Sequence, residues 1–425
     1  MISSSSHRAG RAASALRHAL LSTSLALTGV AGIAQDNPAN KASLAPLTLD
    51  TAVARAIDQH PRLRAAQRGL EASDGAVLQS KARPNPALSY SQEDTSRDKR
   101  TTTVQWTQML EIGGKRDARM RAAARGRDVA EAELDAAKAN LVADVRLAFF
   151  GLLVAQQREV LAGQTLDIAR SAREAASKRV AAGKAAPLEA NRASVAESSA
   201  ELEQAQAQAA KRVARQQLQA LIGEGGPVFG DAQGKLDALP TVPEIGVLQS
   251  RLEQSPSIQQ ARFTVEQSRA TADLERAKRI PDPTVSLGMK RAQETGNQLV
   301  VGVSIPLPVL DTNRGNQLQA LRLADQAEER LLATRLELQS QLYAARETLE
   351  ASRKQAIQLS ERVLPTAQVA YEAASKGFAL GKFGYLDVLD AQRSLFDVRS
   401  QYLDQLMATH RASADIERLL GTTDE

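Results

Sequence analysis

The sequence predicts a mainly α protein with a small β part, built from one unit duplicated in tandem, and three observations predict it. First, one stretch occurs twice: residues 174–190 read EAASKRVAAGKAAPLEA and residues 372–388 read EAASKGFALGKFGYLDV. In each, an alanine-rich helix runs into Gly-Lys, turns within a few residues at Pro187 or Gly384, and starts again as a helix. Glycine takes the left-handed conformation at a helix end, and proline suits the next first turn. Each stretch is therefore the tip of a long helical hairpin. Second, landmarks around the tips repeat in the same order: His60-Pro61 answers Ser255-Pro256, Pro84-Asn85-Pro86 answers Pro281-Asp282-Pro283, and Leu221-Ile222-Gly223 answers Leu419-Leu420-Gly421. Such a repeat sets the architecture before local detail does. Third, only 3% of the 425 residues are aromatic, poor material for compact cores, so extended helical packing through alanine and leucine is expected.

In chain order, residues 1–34 read as a secretion signal. Arg8, Arg11 and Arg17 precede the apolar run from Leu20 to Ala34, and the small Gly32 and Ala34 are placed for cleavage. Removing three arginines and no acid lowers the formal net charge from +5 to +2, so the basicity is mostly removable and a nucleic-acid partner loses its main support. The chain has no cysteine, hence no disulfide and no lipidated cysteine. No later apolar run is expected to be long enough for a spanning helix, so any entry into a membrane must be made by strands.

The first repeat is expected over 35–222. A helix over 50–82 carries Val53, Ile57, Leu63, Leu70 and Val77 at near-helical spacing, with Asp50 or Thr51 as cap. Arg83-Pro84-Asn85-Pro86 ends it. The period then changes to two: strands over 87–92 and 101–110 alternate Leu88, Tyr90, Val104 and Trp106 with small or polar residues. After Gly113-Gly114 a helix over 115–182 runs without proline for about 100 Å. A return helix over 187–222 follows. Residues 223–243, rich in glycine and proline, read as an equatorial linker outside the helical wall.

The second repeat, over 244–425, has helix 244–279, strands 283–291 and 298–307, long helix 314–380 and return helix 386–420. Its strands alternate Val285, Leu287 and Met289, then Leu299, Val301, Val303 and Ile305, with small or polar residues. Pro365 predicts a kink in the second long helix that the first lacks. Helices 50–82 and 187–222 laid end to end nearly match 115–182 in length, so two short helices pair with one long one in a wall of antiparallel coils. Leu134, Leu141, Val145, Ala148 and Leu152 form its seam, at alternating spacings of three and four.

A soluble sheet on a core would show the same strand alternation, but the export signal and the scarcity of aromatics favour lipid. Four strands cannot close a transmembrane barrel, for which about eight is the smallest number, and an open edge in lipid leaves backbone groups unpaired. The protein must then oligomerise to complete its barrel.

Over about 50–422 the chain resembles the TolC-type outer-membrane channel family. The resemblance rests on the duplicated unit, the Pro-x-Pro approaches to paired strands, and the tip Gly-Lys-Phe-Gly-Tyr-Leu-Asp-Val-Leu-Asp-Ala at 381–391. The segment Gln108-Met109-Leu110-Glu111-Ile112-Gly113-Gly114-Lys115-Arg116 looks like the CzcC-like heavy-metal branch, whose members serve export of cobalt, zinc, cadmium or nickel. The resemblance implies a homotrimer whose twelve strands form one outer-membrane barrel above a long helical tunnel in the periplasm of a Gram-negative cell. It implies a periplasmic adaptor, or membrane fusion protein, coupling that tunnel to a proton-driven inner-membrane pump of the resistance-nodulation-division type. By position, Gly183, Lys184, Leu188 and Glu189 with Gly381, Lys382, Phe383, Gly384 and Tyr385 fall at adaptor-contacting tips, and Asp387 and Asp390 fall at the periplasmic aperture. The first repeat has Glu189 and Arg192 there instead. Many relatives carry a lipidated cysteine; this chain does not.

Asp387 and Asp390 lie three apart on one helical face, where three copies would ring an opening with six carboxylates. A plain alternative is a solvated helix start, where acids are favourable anyway. Catalysis finds no foothold: beyond the signal, the histidines are His60 and His410, far apart in sequence, with no cysteine and no phosphate-binding loop. Methionines 109, 120, 289 and 407 are scattered, so no soft-metal cluster and no cofactor are expected. Trp106 and Tyr90 suit either an interfacial belt or ordinary packing. The rival readings are a periplasmic adaptor or coiled-coil scaffold, which needs one hairpin between compact β domains, and a TolC-type channel for drugs or other organic compounds.

Overall fold

The computed structural model describes residues 46–94, 96, 99–223 and 229–421; the export signal expected over 1–34 lies outside them. Both halves follow the same plan. In the first, helices α1 (Leu49–Gln59) and α2 (Pro61–Ser80) lead to strands β1 (Ala87–Glu93) and β2 (Thr101–Met109), then to α3 (Lys115–Ala181) and α4 (Pro187–Ile222). In the second, α5 (Ile245–Leu252) and α6 (Pro256–Ala277) lead to β3 (Thr284–Ala292) and β4 (Gly296–Ser304), then to α7 (Arg314–Gln358), α8 (Leu364–Ala379) and α9 (Tyr385–Leu420).

Four expected elements are divided or shortened, each at a proline. The helix expected over 50–82 breaks at His60, whose ψ of 127° is extended because a residue before proline avoids the helical region. His60 Nδ1 then accepts the N–H of Arg62 at 3.2 Å and caps α2. The helix expected over 244–279 breaks likewise at Ser255, whose Oγ accepts the N–H of Ile258. Strand β4 stops at Ser304 rather than 307, since Pro306 and Pro308 cannot donate to a ladder. The second long helix does not simply kink at Pro365: a π-turn over Leu359–Val363 precedes it and gives the ring the room that an i→i−4 ladder lacks.

The wall is four helices wide. Helices α2 and α4 lie end to end along α3, α6 and α9 lie end to end between α3 and the second long arm, and α7 with α8 forms the far edge. Near the tips, Ala169 and Ala176 on α3 are buried with Ala193 and Ala200 on α4, each pair a heptad apart, so the backbones come close. Midway, Leu141, Val145, Phe149 and Leu152 of α3 form the main core with Ala52, Ala56, Leu218 and Ile222. The segment expected to be a linker is part of that core: Phe229, Ala232 and Leu236 pack into it, and Leu47 and Ala232 form a parallel bridge. That cover also accounts for α3 being apolar enough, over one 18-residue window, to pass for a membrane span, a run the sequence reading overlooked; 56% of the window is buried.

The strands form one antiparallel sheet in the order β1-β2-β3-β4, so the two repeats meet at β2–β3. Register sorts the faces. Leu88, Trp106, Leu287 and Val301 stand in one row across the sheet, and Tyr90, Val104, Met289 and Leu299 in the next, all exposed. The opposite face reads Ser89, Gln105, Gly288 and Val300, then Ser91, Thr103, Lys290 and Gln298. Among the described residues nothing lies over the apolar side of the sheet, and the other side is mostly polar or small.

Candidate channel entrance and barrel junction

Both hairpin tips close in the same way. Gly183 and Gly381 take φ of +68° and +73°. The N–H of Lys184 donates to the Arg179 carbonyl at 2.9 Å and that of Lys382 to the Gly377 carbonyl at 2.8 Å, the paired bonds of a Schellman turn. Gly183, Lys184, Leu188, Gly381, Lys382, Phe383 and Gly384 are exposed there, while Glu189 is half-buried. Asp387 and Asp390 are exposed one turn into α9, and Asp387 Oδ2 accepts the N–H of Gly384 at 2.9 Å, so it also caps its own helix.

Tyr385 departs from the expectation of a tip contact. It is only 4% exposed and packs against Ala176 and Ala193 of the other hairpin, with its ring 5.9 Å from that of Phe378. Burial pushes its phenol pKa up, and the neighbouring Glu189 adds to this. Arg179 completes the contact: its guanidinium lies 4.8 Å over the Phe378 ring and 3.6 Å from the Glu189 carboxylate. Phe383 folds back so closely on Gly377 that a Cβ there would stand 2.0 Å from its ring.

Sequence reading missed Arg179, Phe378 and Gly377, although a signal was present. When the two tips are aligned, Arg179 falls opposite Gly377, Val180 opposite Phe378 and Pro187 opposite Tyr385. Arg179, Phe378 and Tyr385, three of the positions where the repeats disagree, are among those where the hairpins touch each other. Beside the tips, a cleft of about 750 Å³ runs between α4 and α9, lined by Leu188, Arg192 and Val195 on one side and Leu386, Asp390 and Phe396 on the other.

At the opposite end, the segment from Gln108 to Arg116 ties the sheet to the helices, nearly residue by residue. Gln108 Nε2 donates to the Pro84 carbonyl, and the Leu110 N–H to that of Pro283. Glu111 pairs with Arg119, whose guanidinium also donates to the carbonyls of Ser80 and Ala82. The Ile112 N–H donates to Asp282 Oδ1 at 2.9 Å, and Lys115 Nζ meets the same oxygen at 2.7 Å. Gly113, at φ +71°, lies against Ile280, where a Cβ would be 2.7 Å from a methyl. Among the described residues, no group of three or more His, Asp or Glu side chains is arranged to hold a metal ion.

A duplicated helical hairpin wall that ends in a sheet with one uncovered apolar face defines a subunit of a membrane channel. A family model described as outer membrane efflux protein matches residues 52–224 and again 247–422, and the chain belongs to that family. It is 45% identical over 377 residues to the cobalt-zinc-cadmium resistance protein CzcC of Cupriavidus metallidurans, covering 88% of this chain and 90% of that one. It is 27% identical over 286 residues to the nickel-cobalt-cadmium resistance protein NccC of Alcaligenes xylosoxydans xylosoxydans, covering 65% and 64%. Its fold matches the crystal structure of CusC with a TM-score of 0.76 at 20% identity, over 89% of this chain and 93% of that one. The protein is therefore an outer-membrane efflux channel component and not an enzyme. The adaptor and scaffold reading falls with that assignment.

Proposed function

We propose that three copies of this chain form the passive exit duct of a tripartite heavy-metal efflux system. An inner-membrane pump of the resistance-nodulation-division type, acting through a periplasmic adaptor, would deliver divalent cations such as cobalt, zinc, cadmium or nickel. The cargo rests on one observation, the 45% identity to CzcC over nearly the full length of both chains. A deletion strain tests it: tolerance to these cations should fall and return on complementation, and unchanged tolerance to all of them would refute the cargo.

Assembly rests on quasi-equivalence. Strand β2 meets β3 with Gln108 opposite Val285 and Val104 opposite Met289. The edges β4 and β1 are the same two strands of the repeat and are left unpaired in a single chain. Joining β4 of one copy to β1 of the next in the same register places Ile305 opposite Leu88 and Val303 opposite Tyr90. The helical wall is consistent with this, because α7, at its far edge, carries the exposed apolar residues Leu321, Leu332, Leu336 and Tyr343. Since the chain has no cysteine, Leu88→Cys with Ile305→Cys gives a clean test. Oxidation should yield a covalent trimer on non-reducing gels; monomer alone, or a ladder without a trimer end point, would refute the closure.

In this reading the exposed tip residues and the cleft between α4 and α9 receive the adaptor. Spreading of the tips opens the mouth, and Asp387 and Asp390 supply carboxylates that attract cations without holding them. Tyr385 and Arg179 set how the two hairpins of one chain move together. Residues 1–34 would be a cleaved export signal, and the cysteine-free sequence supports a protein held by its barrel rather than by lipid.

A further inference from the structure

The uncovered apolar face is too short for a bilayer. Its paired rows run from Tyr90–Val104–Met289–Leu299 through Leu88–Trp106–Leu287–Val301 to Val285–Val303. The row beyond Leu299 is polar: Gln92, Thr102, Arg291 and Asn297. Three rows cover about 14 Å along the strands, or about 10 Å along the axis of a barrel tilted by ~40°. An outer-membrane barrel presents an apolar band of about 25 Å. The shortfall of about 15 Å has to be made up at the helical end of the sheet.

The chain after β4 continues the stripe. Ile305, Leu307 and Val309 keep the alternation of Leu299, Val301 and Val303, and they are 54%, 77% and 80% exposed, with Leu310 at 98%. Pro306 keeps Ile305 and Leu307 extended, and the chain turns at Pro308, where the Val309 N–H donates to the Leu307 carbonyl at 2.9 Å. Leu110 and Ile112 continue β2 in the same way and are also exposed. From Leu299 to Leu307 the stripe covers about 27 Å along the chain and about 21 Å along a tilted axis, most of the band, and Val309 and Leu310 extend it beyond the turn.

Carried past the strand ends, the β3–β4 register sets Leu307 level with Pro281. Lys278 and Arg279 in fact share a cleft with Leu307, Val309 and Leu310. Lys81 occupies in the first repeat the place of Lys278 in the second, with Arg83 two residues on, just before the first strand. Arg83 and Arg279 are exposed and have no ion pair among the described residues, whereas Lys278 is held by Glu275 at 2.5 Å. The acid that lines the cleft, Asp311, accepts the N–H of Asn313.

We propose that Ile305–Leu310 lies among the acyl chains of the inner leaflet, and that Lys81 and Arg83, with Lys278 and Arg279, form a duplicated site for anionic phospholipid headgroups at its periplasmic surface. The inference rests on the outer-membrane barrel reading and locates where that membrane ends.

Trp106 is the single tryptophan. In vesicles of phosphatidylcholine brominated along the acyl chain, Trp106 of the full-length parent should be quenched; if it is not, the barrel reading itself fails and this inference with it. With Trp106 quenched, the variant Trp106→Phe, Leu310→Trp isolates the new claim, since Leu310 touches little and its replacement should not disturb folding. Its emission should be quenched by lipid brominated near the headgroup and spared by aqueous iodide. Quenching by iodide and by no lipid would overturn the placement. In mixed vesicles, brominated phosphatidylglycerol should quench this tryptophan more than brominated phosphatidylcholine, by about fivefold in local enrichment for each cation engaged. The preference should vanish on adding Lys81→Gln, Arg83→Gln, Lys278→Gln and Arg279→Gln together. Equal quenching by both lipids, or a preference that survives those substitutions, would overturn the headgroup site.

Discussion

Replacing Lys115 by threonine tests whether the two joints of the sheet are variations on one design. Lys115 Nζ sits 2.7 Å from Asp282 Oδ1, and the side chains are only 10% and 18% exposed. Removing one member of such a pair strands the other and costs about 3–5 kcal/mol; the Ile112 N–H still bound to Asp282 argues for the low end, about 3 kcal/mol. In the equivalent places at the proposed joint between copies stand Thr312 and Asn85, a neutral pair. The double variant Lys115→Thr, Asp282→Asn therefore rebuilds the inner joint in the image of the outer one. An asparagine Oδ1 still accepts from Ile112 and no charge is left uncompensated, so the double variant should cost about 1 kcal/mol. Hydrogen exchange of a peptide covering residues 110–117 reads the local opening directly. The single variant should exchange faster on the order of 100-fold, and the double variant less than about tenfold. Unchanged exchange in the single variant, or a double variant as fast as the single, would refute the argument.

Three further predictions concern the entrance and the midsection. In planar bilayers, Asp387→Asn with Asp390→Asn should weaken block by divalent cations, while the amide oxygen introduced by Asp387→Asn can still cap α9; unchanged conductance and unchanged block would end the acidic-mouth idea. Arg179→Gln removes both the Glu189 ion pair and the Phe378 stack, together worth about 1 kcal/mol at this half-exposed site. Trypsin should then cut at Lys184 and Lys382 about fivefold faster, and an unchanged cleavage rate would show that the hairpins are held by Tyr385 alone. His410 is buried, stacks on Phe150 at 3.7 Å and bonds the Leu236 carbonyl at 2.9 Å. Burial lowers its pKa from the ordinary 6.5, so the folded state resists its protonation. That contribution to stability is present above pH ~6.5 and is lost as pH falls below it. Thermal melts should drop more steeply between about pH 6.5 and 5 for the parent than for His410→Gln, and parallel curves would contradict the assignment.

The sequence by itself determined the repeat, the two kinds of periodicity and the turns, because these depend on spacing along the chain. Alternation at Val285, Leu287 and Met289 marks a strand, and Gly183 and Gly381 mark helix ends, whatever lies nearby. The breaks at His60 and Ser255 were equally legible, since each precedes a proline; drawing one helix through them set the apolar stripe above that local rule. Only the tertiary structure decided what covers each apolar face. Periodicity shows that Phe229 and Leu236 are apolar, not that they close over α3 near Phe149, and it shows a tyrosine at 385, not that its ring turns into the neighbouring hairpin. Coverage is set by residues distant in the chain, and a single sequence records those only indirectly. Here part of that record is Arg179, Gly377, Phe378 and Tyr385, four of the places where one repeat departs from the other.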